Sequence, residues 1–276
     1  MRIVDHRLAL NNGTPVRYLP SPNVGGALNP KYLVMHYTAG RNAQESIGWL
    51  CSPKSEASAH LVIARDGTVT QLVPFNRIAW HAGKSAWKGL LSLNRYSIGI
   101  ELDNPGPVKR VNGRWRAYFG KEYENQDVIT GFHKLDKVTC GWVTYTAEQL
   151  AAALDAAQAI VGHYGLEDVI GHDDISPTRK TDPGPAFDLA DFRARVIGGG
   201  GVPNRFITTT VLKIRKGPGM DFSPLPESPL PKDTRVEIRA RSGPWRMVDV
   251  QDPVNDANGL QGWVHFKYLQ SSSAKT

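Results

Sequence analysis

Apolar positions in the first hundred residues fall mostly in short, β-prone runs. Tyr32-Leu33-Val34-Met35-His36-Tyr37 is a short apolar, β-prone run, which predicts a buried strand ending at His36. His60-Leu61-Val62-Ile63-Ala64 and Thr68-Val69-Thr70-Gln71-Leu72-Val73 flank Arg65-Asp66-Gly67, and Asp-Gly between two such runs predicts a tight hairpin. Ser97-Ile98-Gly99-Ile100-Glu101-Leu102 and Val169-Ile170-Gly171 add two more strands. After Thr146-Ala147-Glu148-Gln149, a capping-box pattern, the period becomes helical: Leu150, Leu154, Ala157, Val161 and Tyr164 share one face and Gly165 stops the run. A shorter helix is expected over residues 44–50, ended by Ser52-Pro53. These elements predict an α/β fold with a mixed central sheet flanked by helices.

Two stretches break that pattern. Residues 104–143 are rich in Pro, Gly and charge and include Trp115, Tyr118, Phe119 and Tyr123; their weak periodicity reads as a long surface loop with a functional bias and no assignable chemistry. Gly198-Gly199-Gly200-Gly201 cannot hold a regular element cheaply, so residues 198–204 read as a flexible linker between a domain of residues 1–197 and one of residues 205–276. In the latter, residues 211–215, 235–239, 245–250 and 262–265 are short strands with turns between them, which predicts a small antiparallel barrel.

Composition narrows the picture. Over 276 residues, 41% hydrophobic and 9% aromatic content suffices for real cores and excludes disorder throughout. The net charge of +7 suits an anionic polymer, but basic residues are interleaved with acids and no nucleic-acid motif stands out, so nucleic acid is not the expected partner. Cys51 and Cys140 are the two cysteines, with no C-x-x-C, which argues against a disulfide framework and against a thiolate zinc cluster. Met1-Arg2-Ile3-Val4-Asp5-His6-Arg7 lacks an apolar core and no run of 18 apolar residues follows, so neither a signal peptide nor a membrane span is expected. The expectation is a monomer made in the cytoplasm.

The chemistry concentrates in Gly171-His172-Asp173-Asp174-Ile175-Ser176-Pro177-Thr178-Arg179-Lys180-Thr181-Asp182-Pro183-Gly184, where a histidine, a lysine and a carboxylate share one loop. A catalytic zinc takes three protein ligands and keeps a fourth position open. His36, His172 and Asp182 are the candidate ligands. Glu101, closing an otherwise apolar strand, is the candidate general base and acid, and Lys180 the candidate stabiliser of a developing oxyanion. An alternative division, with Lys180 holding substrate and Glu101 only orienting water, fits the same residues. Each residue also has a bland reading: His36 as a satisfied strand histidine, Asp182-Pro183-Gly184 as a turn, Glu101 as a solvated strand-end charge.

Five motifs in order carry a resemblance. Val34-Met35-His36-Tyr37-Thr38-Ala39-Gly40, Ser58-Ala59-His60-Leu61-Val62-Ile63, Ala79-Trp80-His81-Ala82-Gly83, Ser97-Ile98-Gly99-Ile100-Glu101 and Ile170 through Gly184 resemble the type 2 N-acetylmuramoyl-L-alanine amidases, relatives of peptidoglycan recognition proteins. The resemblance implies Zn2+ held by His36, His172 and Asp182, a catalytic pair of Glu101 and Lys180, and Trp80, His81 and Asn94 on motifs that border the substrate groove. It implies His60 as a ring either supporting the ligands or packing. The implied reaction cleaves the amide between N-acetylmuramic acid and L-alanine of the peptidoglycan stem peptide; the alternative is a binding protein on the same fold that recognises the wall without cutting it. Residues 205–276 resemble bacterial SH3-like wall-binding modules through Leu212-Lys213-Ile214-Arg215-Lys216-Gly217-Pro218-Gly219, Gly243-Pro244-Trp245 and Gly262-Trp263-Val264, with Trp245 and Trp263 expected in the core. A wall-directed module without a signal peptide fits an endolysin, a delivered toxin or a recycling enzyme, the last being the least attractive.

Overall fold

Leu33, Val34 and Met35 have no exposed surface, so the strand they form lies inside the fold with both faces covered. In this computed structural model, which describes residues 1–135, 139–197, 205–242, 244–255 and 257–271, the chain divides into two compact units. One is Met1–Gly184 with Leu189–Gly199, the other Pro185–Asp188 with Gly200–Thr276. The glycine run expected as a linker, residues 198–204, lies outside the described residues.

The first unit contains β1 (Arg17–Tyr18), β2 (Tyr32–Tyr37), α1 (Ala43–Leu50), β3 (Leu61–Ile63), β4 (Val69–Gln71) and β5 (Ser97–Leu102). Five further strands follow: β6 (Pro107–Val111), β7 (Arg114–Arg116), β8 (Glu122–Tyr123), β9 (Val128–Phe132) and β10 (Thr139–Val143). Then come α2 (Ala147–Tyr164), β11 (Asp168–Gly171), the one-turn α3 (His172–Ile175) and α4 (Leu189–Ile197). The main sheet has six strands in the order β11-β2-β5-β3-β4-β1. Its first four strands are mutually parallel, while β3 and β4 form the antiparallel hairpin expected around Asp66-Gly67, with Gly67 at φ +84.

Parallel pairing brings the C-terminal ends of β11, β2 and β5 to one edge of the sheet. Register places Glu101 beside His36 and Gly171 beside Met35, so His172 follows at the level of His36. Burial fixes this register, because a slip of one residue would exchange Ile98, Ile100 and Leu102 with the alternate positions, at about 1.5–3 kcal/mol per large apolar side chain.

Helix α2 starts and stops where its caps predict: Thr146 Oγ1 accepts the Gln149 N–H, and Gly165 at φ +63 returns its N–H to Val161 O. Its buried face lies slightly off the expected one. Gln149, Ala153, Ala156 and Ile160 are buried along with Leu154, Ala157 and Val161, while Leu150 and Tyr164 are half-buried. Gln149 faces inward because its Nε2 donates to Ile63 O and Asp103 O, carbonyls left over where strands end.

The long surface loop expected over residues 104–143 is instead a second sheet, antiparallel, in the order β8-β7-β6-β10-β9. It has its own small core of Val108, Ala117, Val128 and Val143, with Trp115, Phe119 and Tyr123 packed against it. Asn112 and Gly113, at φ 51 and 80, make the tight turn between β6 and β7.

The second unit is a five-stranded antiparallel sheet over a core that includes Phe206, Leu212, Ile214, Val236, Ile238, Val248 and Val264. The strand expected at residues 211–215 reduces to isolated bridges, Leu212 with Leu230 and Arg215 with Trp263, while a strand that was not expected forms at Arg205–Thr208. Trp245 is buried and Trp263 half-buried.

Candidate metal centre

His36 is the penultimate residue of β2, His172 opens α3 and Asp182 returns on the loop behind it, tied back by the Asp173 N–H donating to Asp182 O at 2.8 Å. The three side chains are buried and meet through one atom each: His36 Nδ1 to His172 Nδ1 is 2.9 Å, His36 Nδ1 to Asp182 Oδ2 is 3.0 Å and His172 Nδ1 to Asp182 Oδ2 is 2.9 Å.

The surrounding hydrogen bonds decide where the protons sit. His172 Nε2 lies 3.2 Å from Ala82 O and 3.4 Å from Arg179 Nη2, so Nδ1 is the ring nitrogen that faces His36 and Asp182. His81 Nε2 likewise lies 3.2 Å from Ser97 O, which leaves His81 Nδ1 as an acceptor. His36 Nε2, 3.0 Å from that Nδ1, is therefore the donor, and His36 Nδ1 presents a lone pair. Burial holds His36 down to about 4, helped by the neighbouring His172, and burial holds His81 well below the ordinary histidine value, so both rings are neutral at pH 7. Two imidazole nitrogens and a carboxylate oxygen thus face one another within 3.0 Å. A cation at that spot would be bound by all three atoms. Zinc bonds of about 2.0–2.1 Å imply tetrahedral ligand–ligand edges of about 3.3–3.4 Å, a few tenths of an ångström wider than these. The residues fit such an ion, and among the described residues they form the one His/Cys/Asp/Glu group with metal-binding spacing.

Glu101 stands beside His36, with Oε2 buried and without a hydrogen-bond partner. Burial pushes its carboxyl up to about 8, the Asp182 charge adds to the rise and Lys180 opposes it. Such a group exchanges a proton near neutral pH. Lys180, Glu101, His172, Asp182 and Trp80 line one cavity of about 400 Å3. Glu101, Trp49, Thr38 and Ala39 also line an adjoining groove of about 660 Å3, whose far side carries Tyr118 and Phe119 of the second sheet.

Of the residues expected along the groove, Trp80 is 38% exposed and lines the cavity. His81 is buried with its ring edge against His36. Asn94 holds the backbone there, Oδ1 accepting the N–H groups of His81 at 3.0 Å and Ala82 at 2.7 Å. His60 accepts the Gly99 N–H on Nδ1 and donates from Nε2 to Arg77 O, so both ring nitrogens are engaged by backbone. Gly99 is required because a Cβ there would lie 2.5 Å from the His81 ring. Sequence reasoning gave no role to Arg179, which donates to Ala82 O, Lys84 O and Ser176 Oγ beside His172, although it lies inside the motif that singled out the loop.

Residues 26–185 match the N-acetylmuramoyl-L-alanine amidase family. Over 139 residues the chain is 37% identical to the 1,6-anhydro-N-acetylmuramyl-L-alanine amidase AmpD of Escherichia coli, covering 50% of this chain and 58% of that protein. Over 176 residues it is 34% identical to the N-acetylmuramoyl-L-alanine amidase AmiD of Escherichia coli, covering 61% and 54%. A crystal structure of a selenomethionine derivative of AmpD superposes with a TM-score of 0.49 at 29% identity, covering 71% of this chain and 99% of that one. The chain spans little more than half the length of these curated relatives.

Proposed function

This chain belongs to the N-acetylmuramoyl-L-alanine amidase family, and from that premise we propose that it is a zinc-dependent hydrolase cutting the amide between N-acetylmuramic acid and L-alanine of the peptidoglycan stem peptide. The observation that carries the reading is the meeting of His36 Nδ1, His172 Nδ1 and Asp182 Oδ2 within 3.0 Å, three buried ligand atoms converging on one spot. Bound there, zinc supplies Lewis acidity towards a carbonyl and acidifies water. Glu101 takes the proton of the attacking water and returns it to the leaving nitrogen, a task suited to a carboxyl that titrates near neutrality. Lys180 lines the same cavity, where its ammonium would stabilise the oxyanion as charge develops. Trp80 borders the substrate, while His81 and Asn94 serve it from behind by fixing His36 and the loop that carries Trp80. Pure recognition gains nothing from a buried, unpartnered Glu101 oxygen, which supports catalysis over binding alone.

Residues 205–276, in this reading, form an SH3-like module that holds the hydrolase on the insoluble wall and raises its effective concentration there, consistent with an endolysin-like role. No helix among the described residues is long and apolar enough to cross a membrane.

The test is incubation of purified sacculi with the protein, with and without chelator, and mass analysis of what is released. The proposal expects free stem peptides beginning at L-alanine in the metal-loaded sample alone. Binding to sacculi with no release in either sample would support recognition without cleavage.

A further inference from the structure

The second sheet does more than border a groove. Immediately after β9, His133 and Lys134 reach the turn that carries His172. His133 Nδ1 accepts the Leu135 N–H, so its Nε2 carries the proton and donates to Asp173 Oδ2 at 2.7 Å, with both residues almost wholly buried. Lys134 Nζ lies 3.0 Å from Asp173 Oδ1 and pairs with Asp174 as well. The other oxygen of Asp174 accepts the Gly171 N–H at 2.8 Å, and the Asp173 N–H donates to Asp182 O at 2.8 Å. At the far end of the same loop, Tyr145, just beyond β10, donates its hydroxyl to Pro183 O at 2.8 Å, and Trp142 packs so closely on Gly184 that a Cβ there would lie 2.8 Å from its ring.

These contacts act on ligand spacing. A buried carboxylate such as Asp173 is costly unless paired, and the cationic and N–H partners that the described ion pairs give it, His133 and Lys134, both come from the second sheet. The loop conformation that sets His172 Nδ1 2.9 Å from Asp182 Oδ2 is therefore the one in which this sheet is docked. Outer partners that orient metal ligands affect metal affinity by about 10–100-fold.

We propose that the second sheet is a positioning element for the metal loop, with His133 and Lys134 holding His172 and Asp182 at ligand spacing through Asp173 and Asp174. The inference rests on the metal reading of the cluster. The test compares the full chain with His133→Phe, His133→Gln, Lys134→Ala and the His133→Phe/Lys134→Ala pair, measuring zinc affinity by competition with a chromophoric chelator and the melting temperature of each metal-free protein. The double variant should bind zinc about 10–100-fold more weakly. His133→Gln, which retains an N–H donor, should recover most of that loss. Lys134→Ala, at a half-exposed position, keeps the fold and should lose several-fold on its own even where His133→Phe does not fold. Melting temperatures that fall while zinc affinity stays within about twofold of the parent would overturn the proposal and leave these residues merely structural. A parent protein that binds no zinc would instead overturn the metal reading beneath it.

Discussion

Ser97 O fixes a proton two rings away: it sets the tautomer of His81, and His81 in turn sets that of His36. Replacing His81 by Phe removes the acceptor that holds His36 Nε2–H, so zinc affinity should fall about 10–100-fold in chelator competition; an unchanged affinity would mean that His36 needs no such support. For Glu101 the sign follows from its raised carboxyl. The folded state keeps a proton to about pH 8 that the unfolded chain loses near 4.5, so the metal-free protein loses stability as pH rises between those values. Glu101→Gln abolishes that dependence, and in the presence of chelator it should melt several degrees above the parent at pH 8.5 and match it at pH 4; equal melting points at both pH values would remove the burial argument. The motif order brought His36, Glu101, His172, Lys180 and Asp182 into view together, but not the place of His81. Its role depends on space beneath Gly99, and nothing in the spacing of positions 81 and 99 reports that a ring fills it.

Elements with strong local signals were legible: α2 from its Thr146 cap and Gly165 stop, β3 and β4 from Asp66-Gly67, β2 and β5 from unbroken apolar runs. The second sheet was not, because its strands are two to five residues long and interleave core positions such as Val108 and Val128 with Lys, Arg and Glu. One signal was there to read: Asn112-Gly113 between Val111 and Arg114 is a two-residue hairpin turn sequence. From this sheet Tyr118 stands 81% exposed on the groove adjoining the candidate cavity, its hydroxyl donating to Ala39 O at 3.0 Å and its ring edge-on to Phe119. In the proposed reading such an aromatic face would be a substrate contact remote from the reacting bond. Tyr118→Ala should raise KM for a muropeptide several-fold while kcat and zinc affinity stay within about twofold; a loss confined to kcat would place Tyr118 elsewhere in the account.

In the proposed reading the two units divide the labour, hydrolysis in one and wall binding in the other. If residues 205–276 serve only to hold the wall, a chain ending at residue 197 should hydrolyse small soluble muropeptides at the parental rate and lose about 10–100-fold on sacculi; equal losses on both substrates would make the second unit part of the catalytic one. The proposed reaction depends on a cation held by His36, His172 and Asp182. The most direct measurement is metal content against stem-peptide release in the same preparation, for the parent and for Asp182→Ala, before and after chelation and zinc return. The account predicts about one zinc per parent chain, release that disappears and returns with it, and neither zinc nor release in the variant. Stem peptides released at the parental rate by a preparation stripped of metal would contradict it.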